Sequence, residues 1–166
     1  MFDIAEILKY ASAEGSKPNF LQLTLSLIEN GANLSDFGSL REVMETKYKL
    51  QSLDLKKSTE EIIEQVKVAE NPNYLQVTLY LLEKINTFAD FLAAVDNFKK
   101  LALIMELKLM LNPLKPEGDV VQQAEDSAKP NFLQYTLALL GGKASSDRFG
   151  ELRLVMESKY KLPPQQ

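Results

Sequence analysis

The 166-residue chain has no cysteine and no histidine. The first absence excludes disulfides and thiolate metal ligands and points to an intracellular, cytoplasmic location. The second removes the commonest general base, the commonest zinc ligand and the one side chain that ordinarily titrates near neutrality. Serine–histidine and cysteine-nucleophile schemes are therefore closed, and the composition predicts a protein that is not an enzyme and carries no cofactor. Long hydrophobic runs are missing too. No stretch approaches the roughly 18 uninterrupted apolar residues of a membrane span, and Met1 to Tyr10 has neither the basic opening nor the apolar core of a secretion signal.

Positive charge is sparse and scattered. The 19 basic residues are outnumbered by 23 acidic ones, giving a formal charge of -4, and they occur singly or in pairs such as Lys56–Lys57 and Lys99–Lys100. A phosphate backbone demands a clustered basic surface, so nucleic acid is not an expected partner. With 45% apolar and 25% charged residues, the chain belongs with ordinary globular proteins. Its length suits one compact domain that buries roughly two-thirds of the surface exposed when unfolded.

What the sequence does contain is a threefold repetition. Lys17 to Leu50 aligns without a gap to Lys129 to Leu162, with identities that begin at KPNFLQ and end at KYKL. A third version opens at Pro72 as PNYLQVTLYLL, and its later part, Phe98 to Leu111, matches Phe37 to Leu50 once a short insertion is allowed. The insertion is nearly two helical turns long, so it can lengthen a helix while almost preserving its buried face. The three units are assigned to 1–53, 54–114 and 115–166, with Pro113, Pro116 and Gly118 as the clearest linker.

Each unit reads as three helices, and the fold class expected is all-α, a short α-solenoid or a compact helical bundle of about nine helices. The first helices are placed at Asp3 to Glu14, Ser58 to Glu70 and about Gly118 to Ser127. The second of these opens on Ser-Thr-Glu-Glu, an N-cap followed by acids that suit the positive helix end. The second helices start at P-N-[F/Y]-L-Q, where proline keeps the preceding residue out of helical geometry. Asn19, Asn73 and Asn131 are the expected N-caps, with Gln22, Gln76 and Gln134 completing a capping box. Apart from the stripe Gln22, Ser26 and Glu29, these helices are almost wholly apolar and so should be the most buried. The third helices run from Ser35 to Leu50, Asp147 to Leu162 and, longer, Phe88 to Leu111, and Pro163 with Pro164 ends the last.

Among candidate sites, the repeated Asn and Gln are explained by capping, and Thr24, Thr78 and Thr136 by back-bonding to the carbonyl four residues earlier. The charges Arg41, Glu45 and Lys49, like Arg153, Glu157 and Lys161, read as a solvated helix face. Glu60, Glu61 and Glu64, or Glu42 and Glu45, group acids, but bundle metal sites draw on Glu-x-x-His pairs and no histidine is present, so no metal is expected. Leu27 to Asp36, LIENGANLSD, resembles the end of an ankyrin repeat over ten residues, without the ankyrin opening or its spacing of about 33. Three-helix units in tandem resemble armadillo or HEAT arrays more broadly.

The middle unit departs from its siblings in its third helix. Ala102 stands where the others have Arg41 and Arg153, Leu107 where they have Thr46 and Ser158, and Met110 where they have Lys49 and Lys161. The leading explanation is that a central unit, flanked on both sides, turns apolar where the outer units face water. The sharper one is a face for a protein partner or a second copy, comprising Phe88, Phe91, Val95, Leu103, Leu107 and Met110. The function expected is accordingly a non-enzymatic interaction module, an adaptor, scaffold or regulator able to self-associate. The alternative is a small-molecule or lipid-binding domain walled by Phe20, Tyr74 and Phe132.

Overall fold

The computed structural model describes residues 4–115 and 118–163. Asp3, Pro116 and Pro164, assigned above to a helix start, a linker and a helix end, lie outside the described residues. Among those described there are nine helices and no strand: α1 Ile4–Ser12, α2 Phe20–Glu29, α3 Leu34–Tyr48, α4 Thr59–Val68, α5 Tyr74–Glu83, α6 Phe88–Leu109, α7 Val120–Asp126, α8 Phe132–Gly141 and α9 Ser146–Tyr160. The inserted residues all lie within α6. It is 22 residues long against 15 in α3 and α9, and the loops that lead into the three helices are of equal length.

The starts of these helices follow from short polar side chains satisfying the first free N–H groups. Asn19, Asn73 and Asn131 accept from the backbone N–H of Gln22, Gln76 and Gln134 at 2.9, 2.8 and 3.0 Å. Ser58 with Glu61 and Thr87 with Asp90 form reciprocal boxes at α4 and α6, and the hydrogen bonds from Ser58 hold the Glu61 carboxyl below its ordinary range. The glutamines of the second helices, however, do not fold back to complete a box; their amides cross to another unit, as described below. Thr24, Thr78 and Thr136 bond back to Phe20, Tyr74 and Phe132 at 2.7 Å each.

The ends are equally regular. Lys49, Met110 and Lys161 adopt left-handed backbone with φ near 56°, and the next residue in each unit closes back onto the carbonyl of Glu45, Glu106 or Glu157 at 2.9 Å, the pattern of a Schellman cap. Lys47, Lys108 and Lys159 then reach the carbonyls of Ala13, Ala69 and Ser127, just past the ends of α1, α4 and α7. An ammonium at a helix C-terminus meets the negative end of its dipole, and this ties the first helix of each unit to the third.

Between units the packing closes on itself. The third helix of one unit lies along the second helix of the next, α3 on α5 and α6 on α8, and α9 returns to lie along α2. The chain is therefore a ring of three units about a pseudo-threefold axis rather than an open solenoid. Leu25 of α2 is buried among residues of the third unit, and Leu137 of α8 among those of the first two. The second helices are the most enclosed, as their apolar composition implies: Leu23, Leu25, Leu27, Leu79, Leu81 and Leu137 are fully buried or nearly so.

Two buried hydroxyls, those of Ser26 and Tyr74, have no hydrogen-bond partner among the described residues. Tyr74 occupies the place of Phe20 and Phe132, and its hydroxyl is buried without a hydrogen-bond partner, which pushes its pKa up. A buried hydroxyl with no partner costs about 1–3 kcal/mol. Tyr74→Phe, which copies the sibling units, should raise the unfolding free energy by about 1 kcal/mol, measured by urea titration.

Candidate functional site

Two features hold the side chains able to do chemistry: the three polar seams between units, and the outer face of α6.

The seams share one core. Gln76 of α5 donates from Nε2 to Glu45 Oε2 of α3 at 2.7 Å and to the Gln51 carbonyl at 2.9 Å. Gln134 of α8 makes the same pair with Glu106 of α6 and the Asn112 carbonyl, at 2.7 and 2.9 Å. Gln22 of α2 repeats it with Glu157 of α9 and the Pro163 carbonyl, at 2.7 and 2.8 Å. Each amide thus joins a carboxylate and the chain just beyond the helix that carries it.

Two of the seams add an arginine. Arg41, 4% exposed, bonds Glu45 within its own helix at 3.0 Å and Glu83 of α5 at 2.6 Å. Arg153, 6% exposed, joins Glu157 at 2.9 Å and Glu29 of α2 at 2.8 Å. This corrects the sequence reading of these residues as a solvated face: the polar arc of the third helix meets the polar stripe of the next unit's second helix, and the two cover each other. Burial alone would lower the Arg41 pKa, but its bonds to Glu83 and Glu45 and their charge outweigh that and raise it. A guanidinium locked between two carboxylates neither gives nor takes a proton near neutrality, so these clusters are structural.

The third seam exchanges all three parts at once. Ala102 replaces the arginine, Gly141 replaces Glu83 and Glu29, and Lys99 replaces the glycines Gly38 and Gly150. A Cβ on Gly38 would press on the Glu83 carboxylate, at 3.1 Å, and one on Gly150 would overlap that of Glu29. In the third seam the relation inverts, since it is Lys99 Cγ that would lie 2.9 Å from a Cβ on Gly141. Space is conserved across the contact, with the alkyl chain of an exposed lysine in place of the arginine–glutamate pair.

On α6, Phe88 is 74% exposed, Leu103 60%, Leu107 80% and Met110 91%, while Phe91 is half-buried and stacked on Phe88 at 6.3 Å. Val95, at 3%, belongs to the core and is not part of an accessible face. Leu92 and Leu109, not singled out from the sequence, are exposed as well. The leading sequence explanation, burial between flanking neighbours, is overturned here for a topological reason. In a closed ring each unit has two neighbours, so the middle of the sequence has no extra contact to make.

Phe20 and Phe132, proposed above as ligand walls, lie at open grooves of ≈ 380 and ≈ 590 Å³ on the face where the second helices begin. The grooves share Asn19 and Leu21, and Tyr74 borders neither. Glu60 and Glu61 belong to the first turn of α4, where acids suit the helix dipole. Among the described residues no group of acidic side chains is placed to hold a metal ion, and no helix is long and apolar enough to cross a membrane. In comparisons with known proteins, no family model matches the chain, and neither a curated protein nor a solved structure matches it.

Arg153→Ala strands Glu29 and Glu157 in a buried seam and should destabilise the protein by about 3 kcal/mol. Adding Glu29→Gly, which removes one stranded carboxylate and leaves glycine there as at Gly141, should recover at least half of that loss. Denaturant titration of both variants checks it, and a double variant less stable than the single would contradict the exchange.

Proposed function

We propose that the protein is a non-enzymatic interaction module, an adaptor, scaffold or regulator acting in the cytoplasm, that binds another polypeptide through the outward face of α6. The observation that carries this reading is an internal comparison. The positions of Leu103, Leu107 and Met110 are filled by Glu42, Thr46 and Lys49 in the first unit and by Leu154, Ser158 and Lys161 in the third. All three helices meet the same requirement of ring packing, with Thr46 and Lys49 or Ser158 and Lys161 where α6 has Leu107 and Met110, so folding does not demand those two apolar residues. Exposed apolar groups gathered along one helix are the usual mark of a helix-binding surface. The lack of histidine and cysteine and the locked state of the buried arginines support a role without chemistry.

The test is the double variant Leu103→Glu/Leu107→Glu. Its thermal midpoint should stay within about 2 °C of the parent, because both side chains are already in water. Native mass spectrometry of the protein purified from its own host should show a bound polypeptide on the parent and none on the variant. A parent that carries no other polypeptide chain, or a variant that retains it, overturns the reading. A small-molecule mass present on both would point to the grooves at Phe20 and Phe132.

A further inference from the structure

We infer that the polypeptide received by α6 is a second copy of this chain, paired antiparallel along α6; this rests on the function proposed above and specifies its partner. At 100° per residue, Leu92, Asp96, Leu103 and Leu107 fall within about 60° of arc, with Phe88 and Lys100 at its margins, and Met110 follows as the left-handed cap of the helix. Apolar residues therefore occupy both ends of the outward face, with charge in its middle. All seven of these residues are exposed.

The arrangement is self-complementary. About a twofold axis at residue 98, Asp96 stands as far on one side as Lys100 on the other. Leu92 is mirrored within one residue by Leu103, and Phe88 by Leu107. A twofold interface requires that if one residue meets another, the reverse contact is made as well. Antiparallel pairing would set Asp96 against Lys100 twice and bring the aromatic and aliphatic end of each helix onto the leucines of its mate. An antiparallel helix pair with such a seam follows the knobs-into-holes geometry of coiled coils.

The charges are uncommitted within the protomer. Neither Asp96 nor Lys100 makes an ion pair or hydrogen bond among the described residues. The sibling helices lack the pattern: the corresponding positions are Ser35 and Ser39 in α3, and Asp147 and Glu151 in α9. Two serines offer no complement, and two acids would repel their own copies across a twofold axis. Of the three otherwise similar helices, α6 alone carries opposite charges flanked on both sides by exposed apolar residues.

Sedimentation equilibrium of the purified chain should give twice 18.7 kDa at concentrations of about 100 µM, falling towards the single mass on dilution. Asp96→Lys and Lys100→Asp should each weaken association by roughly tenfold or more, because the twofold axis repeats each repulsion, and the double exchange Asp96→Lys/Lys100→Asp should restore it. All positions are exposed, so far-ultraviolet circular dichroism should be unchanged. A parent that is monomeric at every concentration overturns this inference while leaving the interaction module standing, provided a different polypeptide is lost with Leu103→Glu/Leu107→Glu. A dimer indifferent to both single exchanges, or one not restored by the double exchange, overturns the register.

Discussion

The structure depends on one hydrogen-bonded link used three times: the side-chain amide of the glutamine in a second helix, held between a glutamate on the neighbouring unit and the first carbonyls beyond that glutamate's helix. A Gln amide offers two donors in a fixed plane, and here one goes to Gln22, Gln76 or Gln134's carboxylate partner and the other to the backbone that follows. In two seams the carboxylate, Glu45 or Glu157, is buried, so leaving it unmet would carry a desolvation cost. Sliding the two helices by a turn would break the pair at once. Apolar packing supplies most of the driving force for association of the helices, but it tolerates slippage, and this link does not.

Much of the local regularity serves to present that link. The asparagine cap fixes where the second helix begins and hence where its glutamine points. On the other side, the left-handed residues Lys49, Met110 and Lys161 turn the chain sharply after the third helix, bringing Gln51, Asn112 or Pro163 back towards the glutamine. A non-glycine residue in that conformation carries a modest energetic penalty, and the capping bond and the received amide offset it. The arginine clusters are a second layer laid over this frame. They are present in two seams and absent from the third, where Ala102, Gly141 and Lys99 form a consistent alternative. A buried ion pair and its smaller apolar replacement are often close in stability. What is not tolerated is half of each.

The sequence made the helices legible because each carries its own evidence: caps at the start, an apolar arc of period 3.6, and internal copies that agree. Thr24, Asn19 and the length of α6 were readable for the same reason, since all depend on contacts within one helix or its immediate flank. The glutamines and Arg41 were not, because their partners lie on another unit, and a polar arc looks identical whether it faces solvent or a matching polar arc. Periodicity describes one helix and says nothing of its neighbour. Ring closure was hidden by the same limit, as nothing in Phe20 to Glu29 marks it as the resting place of a helix that begins at Ser146. Val95 misled in a subtler way: the outward arc was drawn too wide, and it lies on the edge of α6 that turns inward.

Ring closure also changes what an exposed apolar residue implies. In an open array the terminal units have a bare side, and apolar residues there can be remnants of stacking. Here the seam of α9 with α2 leaves no bare side, so every unit meets the same packing demand. Variation on the outward arc is then released from the fold and answers only to solvent and to other molecules. Solvent favours the choices made at Thr46, Ser158, Lys49 and Lys161. Leu107 and Met110 run against it on a helix lengthened by nearly two turns, beside Leu103 and below Phe88 and Leu92. The added length of α6 buries Ala94 and Val95, but its apolar ends and balanced central charges have no counterpart in the packing of the ring. Each of them extends or shapes a surface that a second helix can cover.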